Sequence, residues 1–203
     1  MTMAHQEASR RAAFDIVALA SSAGGLNALS IMLAGMPADF PAAIVAVQHL
    51  DPRHRSLMAT ILSRRTQLRV KEAEEGDQIM PGYVYIAPPD RHLLVNPNYT
   101  LALAQTELVH FVRPSADLLF ESVAARYKDR AIAVVLTGSG SDGNMGVRAI
   151  KKMGGTVIAQ DEATSDFFSM PNSAIQTGSV DFILPLDEIA PALFSLVVRG
   201  ETQ

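Results

Sequence analysis

Three short stretches of this chain carry residue types able to do chemistry. In "AVVLTGSGSDGNMG", Gly138, Gly140 and Gly143 follow an apolar run, and Asp161 lies further on. That spacing is a dinucleotide-binding fingerprint, with backbone N–H groups around a pyrophosphate and the later acid on a ribose. Asp142, however, puts a carboxylate where the pyrophosphate would lie, and such a fingerprint normally occupies the first βα turn. No Lys-Ser/Thr follows the last glycine, which excludes a P-loop. In "ASSAGGLNAL", Ser22 suits either a nucleophile on a sharp strand-to-helix bend or a helix N-cap. In "VAVQHL", His49 closes an apolar run and reads as a general base or as a hydrogen-bonded structural histidine. Asp142 is likewise an orienting acid or a helix cap favoured by the dipole. Together Ser22, His49 and Asp142 supply nucleophile, base and orienting acid, in an order unlike the three standard triads. A serine hydrolase is one reading, and nucleotide binding stays open beside it.

Those residues need elements to hold them. Apolar runs at Phe14–Ala20, Ala42–Leu50, Ala131–Thr137, Gly155–Gln160 and in "SVDFILP" read as strands. Helical spacing predicts helices in "GLNALSIMLAGM" and over Ser56–Arg65, Ser115–Tyr127, Gly143–Met153, Met170–Thr177 and Leu186–Val198. Asp51-Pro52 is a plausible opening for the second of these. Between them, Gly and Pro punctuate short alternating runs, which predicts strands near Tyr83–Ala87, His92–Val95 and Thr100–Ala104, arranged as hairpins. The expected fold is α/β: a doubly wound, mainly parallel sheet with an antiparallel hairpin region in the middle of the chain. In such sheets the binding crevice lies beyond the carboxyl ends of the strands. Four polar clusters follow strand ends: Ser21-Ser22, Gln48-His49, Thr137–Asp142 and Asp161-Glu162. That topology can gather them at one rim.

The 203 residues suit one domain, and 48% hydrophobic content allows a sizeable core. A net charge of −4 argues against a nucleic-acid binder. The absence of cysteine excludes disulfides and a thiol nucleophile. No apolar run approaches the roughly 20 residues that span a bilayer, and the polar N-terminus lacks a signal-peptide core, so a cytoplasmic protein not inserted in a membrane is expected. Residues 1–13 and 199–203 read as tails around a domain over 14–198. Among the remaining histidines, His5 sits in the tail, His54 in a polar loop and His110 beside "FVRPS"; His92 in "PPDRH" is the rival to His49. No His-x-x-His spacing occurs, which points away from a metal site.

The stretches "ASSAGGLNAL", "VAVQHL", "VKEAEEGDQIMPGYVYIAPPDRHL", "RPSADLLFESVA" and "VVLTGSGSDGNMGVRAIKKMGGTVIAQDEATSDFFSMPNSAI" together resemble, in order, the catalytic domain of the chemotaxis protein-glutamate methylesterases, the CheB family. The resemblance runs from about Phe14 to Val198. It implies a parallel α/β sheet and hydrolysis of glutamyl methyl esters on the signalling helices of a methylated chemoreceptor, releasing methanol. It also implies deamidation of glutamines in many members and the use of no cofactor or metal. Ser22 matches the serine of the family's Ser-Thr-Gly-Gly turn, and the alignment of Gly24-Gly25 favours it over Ser21. His49 and Asp142 match the family's histidine and aspartate. Two residues depart from the pattern: Ala23 stands where Thr is usual, and Ser139 where Met is usual. The resemblance also implies a receiver domain ahead of the catalytic one. Only about 13 residues precede the first strand, so control by partners, including a receiver domain in trans, is expected. A CheB-like binding or regulatory module without turnover is the alternative.

Overall fold

Apolar runs with no polar face must be covered on both sides. The computed structural model, which describes residues 13–49 and 56–199, places them inside one sheet. The first half of the chain forms β1 (Ile16–Ser21), α1 (Gly25–Ala34), β2 (Ala43–Gln48), α2 (Met58–Ser63), β3 (Arg69–Glu72), β4 (Tyr83–Ile86), β5 (His92–Val95) and β6 (Leu101–Ala104). Then follow α3 (Ala116–Tyr127), β7 (Ala131–Val135), α4 (Asn144–Lys152), β8 (Thr156–Gln160), α5 (Ser169–Gln176), β9 (Phe182–Leu184) and α6 (Leu186–Arg199). Seven strands pair in the order β3-β4-β2-β1-β7-β8-β9, every neighbouring pair parallel. β5 and β6 form a separate antiparallel hairpin, His92 opposite Ala104.

Alternation along the central strands splits the core into two clusters. Ile16, Ala18 and Ala20 face Leu119 and Phe120 of α3, Val147 of α4 and Met170 of α5. Val17 and Leu19 face Leu29 and Met32 of α1, Leu62 of α2 and Leu193 of α6. The sheet is thus wound on both faces, as the apolar runs imply.

The middle of the chain divides differently from expectation. Only β5 and β6 make a hairpin; β4 is an inner strand of the parallel sheet, with Val84, Tyr85 and Ile86 all buried. Gly and Pro punctuation marks where the chain turns, not which strand it joins. β3, absent from the sequence-based strands, is an edge strand whose residues "RVKE" are half-buried or exposed, so it lacks an apolar signal. Residues 73–82 return from β3 to β4 without a helix. α2 is shorter than Ser56–Arg65. Asp51-Pro52, His54, His5, the N-terminal residues 1–12 and residues 200–203 lie outside the described residues. No helix among the described residues is long and apolar enough to cross a membrane.

Candidate active site

The four polar clusters meet at one rim because β2, β1, β7 and β8 are consecutive neighbours in the sheet. The order reverses between β1 and β7, and at such a switch point the loops diverge and leave a crevice. Ser22 and His49 leave adjacent strand ends in step. β1 and β2 pair as far as Ser21 opposite Gln48, and the His49 N–H donates to the Ser21 carbonyl over 3.1 Å. Ala20 and Val47, two residues earlier, belong to the core under α3. Ser22 and His49 each follow the last residue of their strand, so both leave the sheet at the same rim.

Asp142 arrives from the other flank of β1, in the loop between β7 and α4. It is 4% exposed, and its Oδ2 stands 2.9 Å from His49 Nε2. The same carboxylate closes the N-terminus of α3. Oδ1 accepts the Ser115 hydroxyl at 2.8 Å and the Asp117 N–H at 3.1 Å, while Oδ2 also accepts the Ala116 N–H at 2.5 Å. Burial alone would push this carboxyl up. The hydrogen bond from His49, followed by the N–H groups of Ala116 and Asp117 and the Ser115 hydroxyl, outweighs burial and holds it below the ordinary value. The carboxylate thus accepts bonds from the start of a helix and stands within hydrogen-bond distance of the imidazole of His49. The helix it caps is α3 rather than its own α4.

His49 has one ring nitrogen committed to Asp142; Nδ1 has no partner among the described residues. His92, the rival, is fully buried with both nitrogens committed to backbone. Nδ1 accepts the Ser115 N–H at 3.1 Å, so Nε2 carries the proton and donates to the Glu107 carbonyl at 3.0 Å. With no nitrogen left to move a proton, His92 serves to seat Ser115 under Asp142. His110 lies 3.3 Å from Asp117, a buried carboxyl whose Oδ1 accepts the Gly146 N–H at 2.8 Å. Burial pushes the Asp117 carboxyl up and the charge of Asp142 adds to that rise, against the lowering effect of the Gly146 N–H.

The neighbouring serines divide their work. Ser21 is fully buried, and its hydroxyl donates to Gln48 Oε1 at 2.6 Å. Gln48 Nε2 in turn donates to the carbonyls of Ser22 at 2.6 Å and His49 at 3.0 Å. Ser22 is half-buried and its hydroxyl has no hydrogen-bond partner among the described residues. Its backbone is pinned instead: the N–H donates to the Thr137 carbonyl, and the carbonyl accepts the Gly25 N–H. The N-cap position of α1 is Gly24, at φ 78° and without a side-chain cap, so the Ser22 hydroxyl does not cap this helix.

The glycine loop packs against the serine. A Cβ added to Gly138 would stand 2.8 Å from Ser22 Cβ. The Gly138 N–H donates to the Phe167 carbonyl. Asp161 Oδ1 accepts both the N–H and the hydroxyl of Thr164. Two groups needed by the nucleotide reading are therefore engaged elsewhere. Two supporting residues escaped sequence reasoning as site members: Ser115 and Gln160, whose Oε1 accepts the N–H of Thr137, a member of the third polar cluster, at 2.8 Å. The signal for Gln160, as for Gln48, is a polar residue closing an apolar strand; buried there, it must find partners. Ser22 opens onto a groove of about 730 Å³ between α1 and α2. His49 and Asp142 line a pocket of about 280 Å³ on the other side, with Ser139 in its wall.

Comparison with known proteins agrees with this architecture. The CheB methylesterase family model matches residues 17–193. The crystal structure of the Thermotoga maritima CheB methylesterase catalytic domain superposes with a TM-score of 0.87 at 41% identity, covering 91% of this chain and 99% of that one. A relative from Leptospira interrogans is 40% identical over 183 residues, 90% of this chain and 95% of its own length. The protein-glutamate methylesterase/protein-glutamine glutaminase of Moorella thermoacetica is 42% identical over 192 residues, which are 93% of this chain and 45% of that protein. Against that longer protein the chain spans about half the length. With the family model matched over residues 17–193 and the fold shared at a TM-score of 0.87, the chain belongs to the CheB methylesterase family.

Proposed function

We propose that this chain is a carboxylic ester hydrolase. It cleaves the γ-methyl ester of glutamyl side chains on a methylated chemoreceptor and deamidates glutamines at the same site. Ser22 is the nucleophile, His49 the base and Asp142 the orienting acid. The observation that carries this reading is the 2.9 Å contact of buried, ionised Asp142 with His49. His49 follows β2 in register with the end of β1, after which comes Ser22, whose hydroxyl has no hydrogen-bond partner among the described residues.

Asp142 accepts a hydrogen bond from Nε2–H, which keeps the proton on Nε2 and leaves Nδ1 as the free base. Nδ1 takes the Ser22 proton as Oγ attacks the ester carbonyl. The N–H groups of Ala23 and Gly24 have no acceptor among the described residues, so they are the donors for the oxyanion. Gly138, whose N–H is spent on Phe167, is not. His49 returns the proton to the departing methoxide, giving methanol, or to the departing amide nitrogen, giving ammonia. Water then attacks the acyl-enzyme with Nδ1 again as base, and glutamate and free Ser22 result. In Ser22→Ala, methanol release from a methylated receptor fragment falls about a thousandfold or more with the fold intact. Full activity in that variant overturns the mechanism. A binding module without turnover is favoured by one observation, the lack of a Ser22–His49 hydrogen bond among the described residues; such bonds often tighten only with substrate. Binding of the methylated fragment without any methanol release would establish that second reading.

A further inference from the structure

We propose that Asp166 is a specificity-determining residue: its carboxylate is a charge filter beside the turn that follows Ser22. It admits glutamyl side chains whose γ-carboxyl is neutral, as ester or amide, and expels the glutamate product. This rests on the reading of Ser22 given above.

Asp166 lies in the loop from β8 to α5, which is tied to the strand ends of the site. Thr137 Oγ1 accepts the Phe167 N–H at 2.9 Å and donates to the Ala23 carbonyl at 3.1 Å. The Gly138 N–H donates to the Phe167 carbonyl, and the Met170 N–H to the Gly138 carbonyl. On the other side of Asp166, the Ser165 hydroxyl donates to the Asp161 carbonyl at 2.6 Å. The chain around Asp166 is therefore held against the turn. A Cβ added to Gly24 would stand 2.8 Å from Asp166 Oδ2, which puts that oxygen within roughly 4–5 Å of Gly24 Cα. The carboxylate is exposed and takes part in no hydrogen bond or ion pair among the described residues. It caps no helix either, since the N-cap position of α5 is Phe168, without a side-chain cap.

An oxygen accepting the Gly24 N–H sits about 3 Å from that nitrogen. It then lies within about 9 Å of Asp166, inside the roughly 10 Å over which exposed charges act at 0.1 M salt. What Asp166 senses is the net charge of the bound group. The ester and the amide have none. In the transition state the oxyanion is matched by the proton that His49 has gained. The glutamate product is a full anion beside a neutral imidazole, so Asp166 opposes the product and spares the reaction.

The test measures methanol release from N-acetylglutamate α-amide γ-methyl ester, and its inhibition by the free acid N-acetylglutamate α-amide, in wild type, Asp166→Asn and Glu188→Gln. Glu188, exposed in the first turn of α6, gives up the same unit of charge away from the site. The expected result is that Asp166→Asn lowers the inhibition constant of the acid about threefold or more, while kcat/KM for the ester changes less than about twofold and circular-dichroism melts are unchanged. Glu188→Gln behaves as wild type, and the difference between wild type and Asp166→Asn closes in about 0.5 M salt. An unchanged inhibition constant, an equal gain in affinity for ester and acid, a shift that salt leaves intact or an equal shift in Glu188→Gln overturns the filter while leaving the esterase reading standing. If wild type does not hydrolyse the ester, the esterase reading fails, and calorimetric titration then decides the filter alone. Wild type binding N-acetylglutamine α-amide more tightly than the acid, with that preference lost in Asp166→Asn, supports it; no preference, a preference that survives the substitution, or no binding of either overturns it.

Discussion

At the scale of single residues, the proposed mechanism makes Asp142 the link between catalysis and folding. Its two oxygens receive three donors from the start of α3 and one ring nitrogen of His49. An Asn cannot serve all four, because one of its two groups is a donor. In Asp142→Asn an amide turned toward Nε2 donates to it, leaving the proton on Nδ1, the wrong tautomer for taking a proton from Ser22. The kcat for methanol release then falls about 10³–10⁴-fold with KM little changed, as stopped-time methanol assays would show. A fall of less than tenfold contradicts an orienting role. Stability carries a second signature. The folded carboxyl titrates below its ordinary value of 3.8, so its contribution is fully present above that pH and is lost as pH falls through the folded value. Urea midpoints should therefore drop more steeply below pH 4 in wild type than in Asp142→Asn. The residue types for this site were readable: an acid inside a glycine turn, a histidine closing an apolar run and a serine before Gly-Gly. Ser115 was not, because "RPSAD" announces only a helix start and its partner lies 27 positions away.

At the scale of elements, the turn from β1 into α1 depends on close approach. A Cβ on Gly25 would stand 1.8 Å from Gln48 Oε1 and 2.8 Å from Ser21 Cβ. Gln48 is the clamp on the Ser22 and His49 carbonyls, so it cannot retreat without releasing both strand ends. Gly25→Ala should cost about 1–3 kcal/mol by overpacking and lower kcat more than tenfold, measured by urea unfolding and methanol release on one preparation. Stability and rate both unchanged would show that the clamp is dispensable. The elements that sequence reading located well, β1, β2, β7 and β8, are those buried on both faces, where an apolar run has one interpretation. It failed for β3 because an edge strand needs no apolar face, its charged residues staying wet. It misassigned β4 because pairing is a long-range choice: β4 lies against β2, about 40 residues earlier in the chain. Local turn residues do not encode that choice.

At the scale of the whole molecule, the sheet separates two tasks. The face under α3 and α4 carries Asp142 and the hairpin, while the opposite face under α1, α2 and α6 is a second core. α6 closes that core through Leu186, Ile189, Leu193 and Val197, and none of its described side chains lines the groove or the pocket beside His49. Leu193 is fully buried, whereas its neighbour Phe194 is 42% exposed. Leu193→Ala removes packing that cannot collapse in a close-packed interior, at about 2–5 kcal/mol. For a chain of this length that lowers Tm by roughly 5–15 °C. Phe194→Ala, losing a side chain that is 42% exposed, costs less, about 1 kcal/mol. Well below their melting temperatures both variants should hydrolyse the ester at wild-type rates, because the strand ends that carry Ser22 and His49 are held by Gln48 and Thr137 rather than by α6. Thermal melts read beside methanol release at 25 °C test this. A Leu193→Ala protein that melts as wild type does, or that loses activity while fully folded, would mean that the two faces are coupled through the sheet.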